Sequence, residues 1–520
     1  MKANKSIVRL LSVFMSILIT SSIMVGCSNS KGRREISGKT EVLIAYWNAG
    51  YGEEWLKAEI EAFEKKQDKY YVNYQATASH ASVIAPFGMK DVDENDLYLD
   101  IKNMDTQYME PLDDVLAATA EGDQKTIKEK INPFYLSYEK SNDGKYYTLS
   151  YGAGVINFYY NEDLLKEAGV SQFPRTTDEL VVVCDKLSAK EITPLCHFTG
   201  GGYYVYLLQE YMAQYDGFDY YMNNFFACKD EKGNSPSKSV FTKQDGRYYA
   251  LKAFEKFIKP EFTLAGSNTK SHTEIQTLFL QKQAAMMLNG SWVANEMKID
   301  KNDQNIKCAK LPVLSAITKQ LSTVKSDSDL RKVISAVDDI TDGKKKESDF
   351  ASGDSYHIDG LTISSNDWNR IYEARNTVVG NAAQQSLYIP NYSDAKEGAK
   401  EFVKFLLSDE GYRIYAEKTG CPLPIQLSDG KDIDTSNMSA LQKMPFDIWK
   451  NVKTYVDSGV SSKHQIFASG GADIMAGVSY VSEMSTYNKA DRKTAEEIWN
   501  KMIETVDERY DVWLKTMKGE

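Results

Sequence analysis

The chain has 520 residues, 62 of them Lys or Arg and 73 Asp or Glu, for a formal net charge of −11. That length exceeds a single hydrophobic core and requires at least two domains or lobes. The acidic balance excludes a nucleic-acid footprint, which needs a basic surface, and excludes a polybasic membrane patch. Tyrosine is the compositional outlier, with 33 residues and Tyr-Tyr pairs opening at Tyr70, Tyr146, Tyr159, Tyr203, Tyr220 and Tyr248. Neighbouring tyrosines in a strand point to opposite faces, so one packs inward while the other meets solvent or ligand. Five cysteines follow Cys27: Cys184, Cys196, Cys228, Cys308 and Cys421. An odd number at wide spacing, without a CxxC pair, reads as buried apolar residues and not as zinc or a disulfide framework. One bridge, between Cys184 and Cys196, stays open on spacing alone.

In chain order, Lys2, Lys5 and Arg9 precede an apolar run over residues 10–25. Residues 1–26 read as a secretory signal, too short and too interrupted by Ser and Thr for a membrane span. Met24-Val25-Gly26-Cys27 resembles the bacterial lipobox, with Met24 where leucine is usual. The resemblance implies acylation of Cys27, hence lipid attachment there at the outer face of the cell membrane. Residues 27–39 are then a polar, lipidated tether. Residues 40–46 are expected as a buried strand, 47–52 as a Gly-containing turn, 53–66 as an amphipathic helix and 70–75 as a second strand. Strand, helix, strand without a hairpin is a βαβ opening and predicts a parallel sheet covered by helices. Residues 97–101 follow as a strand and 112–120 as a helix. Residues 146–160 form two β-prone pieces around Gly152 and Gly154, the candidate crossing between lobes. Helices are expected at 161–169, 176–187, 248–258, 273–281, 394–407 and 494–517, and a buried strand at 285–288. Two polar stretches, 322–354 and 426–439, read as surface insertions, the first with a solvated run Lys344-Lys345-Lys346.

Catalytic motifs are mostly missing. There is no GxSxG elbow, no HExxH and no P-loop, and His80, His197, His272, His357 and His464 are scattered. Asp91, Asp93 and Asn95 have the opening spacing of a calcium loop, but Asp96 stands where glycine is required and Lys102 where the twelfth-position acid belongs. No pair of carboxylates is singled out for glycoside hydrolysis. No cofactor and no metal are expected.

Four segments resemble one family in order along the chain: residues 42–63, running into AFEKK; residues 155–180, with YNEDLLKEAG and PRTTDEL; residues 279–297, leading into NGSW; and residues 387–424, with YIP, AKEFVKFLLSDEG, YAEKTG and PLP. They are similar to the carbohydrate-type extracellular solute-binding proteins of ABC importers, relatives of maltose-binding protein. Residues 79–96 lack the family's usual wording, and the 322–354 insertion is long. The resemblance implies an α/β, two-lobed periplasmic-binding-protein-like (type II) fold with discontinuous lobes and a hinge. Residues 40–152 and 284–390 would form one lobe, and 153–283 and 391–520 the other. It implies binding without catalysis: a monomer that takes a carbohydrate ligand, delivers it to ABC permease subunits, touches the membrane through lipid only and binds no nucleic acid. A surface-anchored glycoside hydrolase, or a sensor of the same fold for a non-sugar ligand, is the alternative. The ligand-binding candidates it implies are Trp47 and Asn48 after the first strand, Glu54 and Asp100 as hydroxyl acceptors, Tyr151 beside the crossing, Tyr203 and Tyr204 after the Gly200–Gly202 run, and Trp292 of NGSW, with Trp47 and Trp292 in one lobe. His80 and Trp368 are weaker candidates.

Overall fold

Five consecutive buried residues, Val42 to Tyr46, leave the opening strand Lys39–Trp47 no solvent face, so it must lie inside a sheet covered on both sides. In the computed structural model, which describes residues 35–103, 105–141, 143–198, 203–243, 245–298, 305–380, 385–457, 484 and 491–518, it does. The leader, Cys27 and the Gly200–Gly202 run lie outside the described residues. Lys39–Trp47 pairs in parallel with Tyr70–Thr77 on one side and Leu97–Asp100 on the other, the βαβ arrangement expected. Ser386–Tyr388 then inserts antiparallel between Leu97–Asp100 and Leu149–Ser150, and Glu35–Ile36 folds back on the first strand.

Helix Glu54–Lys66 buries Trp55, Leu56, Glu59 and Phe63, one stripe at helical spacing, and carries Glu54 in its first turn and Lys65 and Lys66 in its last, as the helix dipole favours. Its partners are late in the chain. Phe63 meets Phe402 and Phe405 of helix Lys396–Leu406 at centroid distances of 5.2 and 5.8 Å, and Trp55 meets Tyr415 of helix Asp409–Thr419 at 5.1 Å.

The second sheet has the order Leu195–Cys196, Met286–Gly290, Ile156–Asn161, Ile306–Ala309. Ile156–Asn161 is antiparallel to both neighbours, and Leu195–Cys196 runs parallel to Met286–Gly290. Side-chain caps start its helices: Asn161 accepts from the Leu164 amide ahead of Glu162–Glu167, and Thr176 from the Glu179 amide ahead of Thr177–Ser188.

Sheet membership corrects the sequence allocation of segments. Met286–Gly290 belongs to the second sheet, not with Trp47, and helices Lys396–Leu406 and Asp409–Thr419 pack on the first lobe, not the second. The reason is physical: buried strands all read as short apolar runs, and periodicity does not say which run pairs with which.

The 322–354 stretch is also more than a polar insertion. Ser326 caps a helix, Asp327–Thr341, that buries Leu330, Val333, Ile334, Ala336 and Val337. With the hairpin Ser355–Ile358 and Leu361–Ser364 and helix Ser365–Arg375 it builds a separate apolar cluster. Trp368 is the centre of that cluster, stacked on Tyr356 at 4.3 Å, and so is no ligand platform. The lysine run is exposed, with Lys344 paired to Asp342. In the 426–439 stretch, Leu427 and Ser428 are buried, the Ser428 amide donating to the Asp409 carboxylate.

All five described cysteines are free and buried, so Cys184 and Cys196 form no bridge, and burial pushes the Cys196 and Cys421 thiols up to about 12. The calcium-like loop is filled by the protein's own donors. Asp93 accepts from the Tyr98 and Tyr392 hydroxyls at 2.8 and 2.5 Å and from the Asn95 side chain at 2.8 Å, and Asp96 accepts from Ser393 and the Leu43 amide. No helix among the described residues is long and apolar enough to cross a membrane.

Candidate ligand-binding site

In open parallel sheets, ligands bind beyond the carboxyl ends of the strands, and three such ends converge here. Lys39–Trp47 ends on Trp47, Tyr70–Thr77 leads into Ser79 and His80, and Leu97–Asp100 ends on Asp100. The Trp47 indole is half-buried and donates its N–H to the Ala78 carbonyl at 3.1 Å, which leaves its ring as a platform. His80 stands edge-on to it, centroids 6.5 Å apart. Its Nδ1 lies 2.8 and 3.0 Å from the two Asp100 carboxylate oxygens. Asp100 is wholly buried; burial raises its pKa above the ordinary carboxylate value, while the His80 hydrogen bond pulls it back down. Asn48 donates from Nδ2 to Glu53 at 3.0 Å, within the turn that carries the chain to helix Glu54–Lys66.

The second lobe contributes Trp292 and Tyr203, edge-on at 5.9 Å. Trp292 follows strand Met286–Gly290 and is only 6% exposed, because its indole lies in a cradle of glycines. A side chain at Gly154 would stand 2.7 Å from its Cζ3 and 3.1 Å from the Tyr51 hydroxyl, and one at Gly290 would overlap the ring outright. Gly50, at φ +83°, approaches the indole Cγ from the first lobe, where a Cβ would lie at 3.3 Å. Three residues on, Asn295 donates from Nδ2 to the Gly50 carbonyl at 3.0 Å. The two lobes thus meet at Trp292, beside the crossing segment with Gly152 and Gly154 that joins strands Leu149–Ser150 and Ile156–Asn161.

The remaining candidates stand apart. Tyr151 is buried and stacked on Trp55 at 5.7 Å, with burial raising its hydroxyl pKa; it is core of the first lobe. Tyr204 is core of the second, among His197, Phe254 and Phe257. Glu54 lies on the outer face of its helix, ion-paired to Lys57 at 3.0 Å and 80% exposed. The structure therefore gathers Trp47 and Asp100 on one lobe through His80, and Trp292 and Tyr203 on the other. Asn295 and Tyr51 at the junction were not anticipated; an asparagine three residues past NGSW and a tyrosine between two turn glycines carry no distinctive pattern.

The profile of the bacterial extracellular solute-binding proteins matches residues 49–413. This chain belongs to that family. Among relatives of known sequence, a binding protein of Brucella abortus (strain 2308) is 28% identical over 203 residues, 39% of this chain and 44% of that protein. The match thus spans under half of the relative's length. Among solved structures, maltose-bound MalE3 of T. maritima superposes with a TM-score of 0.57 at 16% identity, over 90% of this chain and 99% of that one. The GacH receptor of Streptomyces glaucescens, solved unliganded and with acarbose, gives 0.56 at 16% identity, over 91% and 99%. At that identity the likeness establishes the fold: two α/β lobes, as a solute-binding protein requires for hinge closure.

Proposed function

We propose that this solute-binding protein captures a carbohydrate outside the cell and delivers it to the permease of an ABC importer, held at the membrane by lipid on Cys27. The observation that carries the sugar reading is the half-buried Trp47 ring beside a polar group of fixed orientation, His80 on Asp100. A sugar has apolar faces and hydroxyl edges, and an aromatic platform with an adjacent hydrogen-bonding group matches both. Maltose in MalE3 and acarbose in GacH are carbohydrates held by proteins of this fold. Binding without reaction is supported by the site's own acids: Asp100 is engaged by His80, and Glu54 faces solvent on the far side of its helix.

The test is thermal unfolding of the purified protein against mono-, di- and oligosaccharides, maltose and acarbose included. A ligand that binds only the folded state adds about 2.7 kcal/mol at a hundredfold excess over Kd, a readily measured rise in midpoint. The expected result is at least one stabilising sugar, recovered chemically unchanged after incubation. No stabilising sugar argues against the carbohydrate reading, and a cleaved one argues for a hydrolase. For the anchor, Cys27→Ser is expected to move the protein from the membrane fraction to the medium or to leave its leader uncleaved. A correctly trimmed Cys27→Ser protein that stays on the membrane removes the lipid claim.

A further inference from the structure

We propose that His80 is the polar group through which the first lobe reads its ligand, and that Asp100 is its positioning residue, with no ligand contact of its own. This rests on the carbohydrate reading above. Asp100 is the acid that position alone nominates as a hydroxyl acceptor, yet its side chain is 0% exposed while that of His80 is 36% exposed. Any ligand arriving at the strand ends meets the imidazole first.

The pairing also fixes what the imidazole offers. Both Asp100 oxygens lie within 3.0 Å of Nδ1, and a carboxylate only accepts, so Nδ1 carries the proton. With its one proton on Nδ1, a neutral ring presents the Nε2 lone pair as an acceptor. Among the described residues no protein group is hydrogen-bonded to Nε2. The backbone under His80 is held as well: Ser79 accepts from the Ser82 amide at 3.3 Å, starting the turn on which the ring stands. Trp47 cannot share the polar role, because its N–H is committed to the Ala78 carbonyl. The two rings therefore divide the work. Trp47 takes a sugar face, and His80 Nε2 accepts from a hydroxyl on that sugar's edge, a group fixed in advance and costing no reorganisation on binding.

The experiment uses the full mature chain and the sugar from the thermal panel that stabilises it most. ¹⁵N NMR of the histidine rings in the unliganded protein should show His80 as the Nδ1–H tautomer, with its Nε2 signal moving when sugar is added. His80→Ala should weaken binding by about 10- to 100-fold, the loss of one well-placed hydrogen bond in a desolvated site. Asp100→Asn should weaken it too, and the double variant should bind no worse than His80→Ala alone, because the acid acts through the ring. Circular dichroism of each variant checks folding, and His80→Ala with the NMR shift decides the matter if Asp100→Asn does not fold. An Nε2–H tautomer, an Nε2 signal unmoved by sugar, or unchanged affinity in His80→Ala overturns the proposal while leaving the carbohydrate reading standing. A wild type that no sugar stabilises overturns both together.

Discussion

Gly154→Ala is expected to destabilise the junction between the lobes by about 1–3 kcal/mol, the usual range for overpacking a filled site. The added carbon would sit 2.7 Å from the Trp292 indole, and the indole cannot yield, since Gly290 and Gly50 already hold its other edges. Trp292→Ala is expected to cost more, about 3–5 kcal/mol, as for a large aromatic lost from a packed interior. The informative measurement is the combination. With the indole gone, the space that Gly154 protects is empty, so Gly154→Ala should add little to Trp292→Ala. Thermal unfolding of the four proteins, unliganded, gives the cycle directly. Strictly additive losses would mean that Trp292 does not occupy the glycine cradle. A Trp292→Ala protein with an unchanged midpoint but lost sugar affinity would make the ring a ligand platform instead of a pivot between lobes.

Lys130→Met is the second substitution from which a large effect is expected. The Lys130 ammonium is fully buried between Asp123 and Asp409, lies 2.9 Å from Asp409, and also donates to the Leu407 carbonyl at 2.8 Å. It ties helix Asp409–Thr419 to the short capped helix Ile127–Lys130, below a charged recess of about 380 Å³ that Lys66, Glu121, Glu410 and Arg413 help to line. Removing one member of a buried ion pair leaves uncompensated charge and costs about 3–5 kcal/mol. The pH dependence follows from Asp409. Burial raises its pKa, but Lys130 and Ser428 together hold it below the ordinary carboxylate value. A depressed folded-state value means stability that is present above the unfolded value and lost as pH falls through the folded one. The wild type should therefore lose stability on acidification below roughly pH 4. Lys130→Met should show its full deficit at neutral pH and a shrinking one in acid, where a protonated Asp409 no longer needs the ammonium. Denaturant unfolding at pH 7 and pH 3 measures both, and a deficit independent of pH would assign the effect to packing.

Much of the fold was legible because its signals are local. The opening strand, helix Glu54–Lys66 and the capped helix Thr177–Ser188 follow from apolar spacing and from residues such as Thr176 that satisfy a free amide at a helix start. Pairing was not legible. Nothing in the run Met286–Gly290 distinguishes a partner at Ile156–Asn161 from one at Lys39–Trp47, since each holds a buried stretch of mostly apolar residues. The insertion misled for a related reason. Its low apolar content hid a well-spaced stripe from Leu330 to Val337, enough for a small core once Trp368 joins it. At the candidate site, position along the chain does not give side-chain contacts. Trp47 and Asp100 stand at strand ends as position suggests, but their link through His80 depends on a side-chain distance across twenty residues, which spacing does not encode. Tyr151 and Tyr204 show the converse, since tyrosines beside a crossing or a glycine run pack inward as readily as they face a ligand.

The threading of the two sheets has a consequence for synthesis. Every strand of the second sheet has been made once Ala309 is added, whereas the first sheet waits for Ser386–Tyr388 to slot between Leu97–Asp100 and Leu149–Ser150. Of the two sheets, the one that begins the chain is therefore the last to be completed. Until then Leu97–Asp100, buried at all four residues in the finished protein, carries one unpaired edge, and helix Glu54–Lys66 lacks the late helices that cover Phe63 and Trp55. An exposed edge of this kind pairs readily with other chains, so a chain in which Ser386–Tyr388 has not yet docked is open to aggregation.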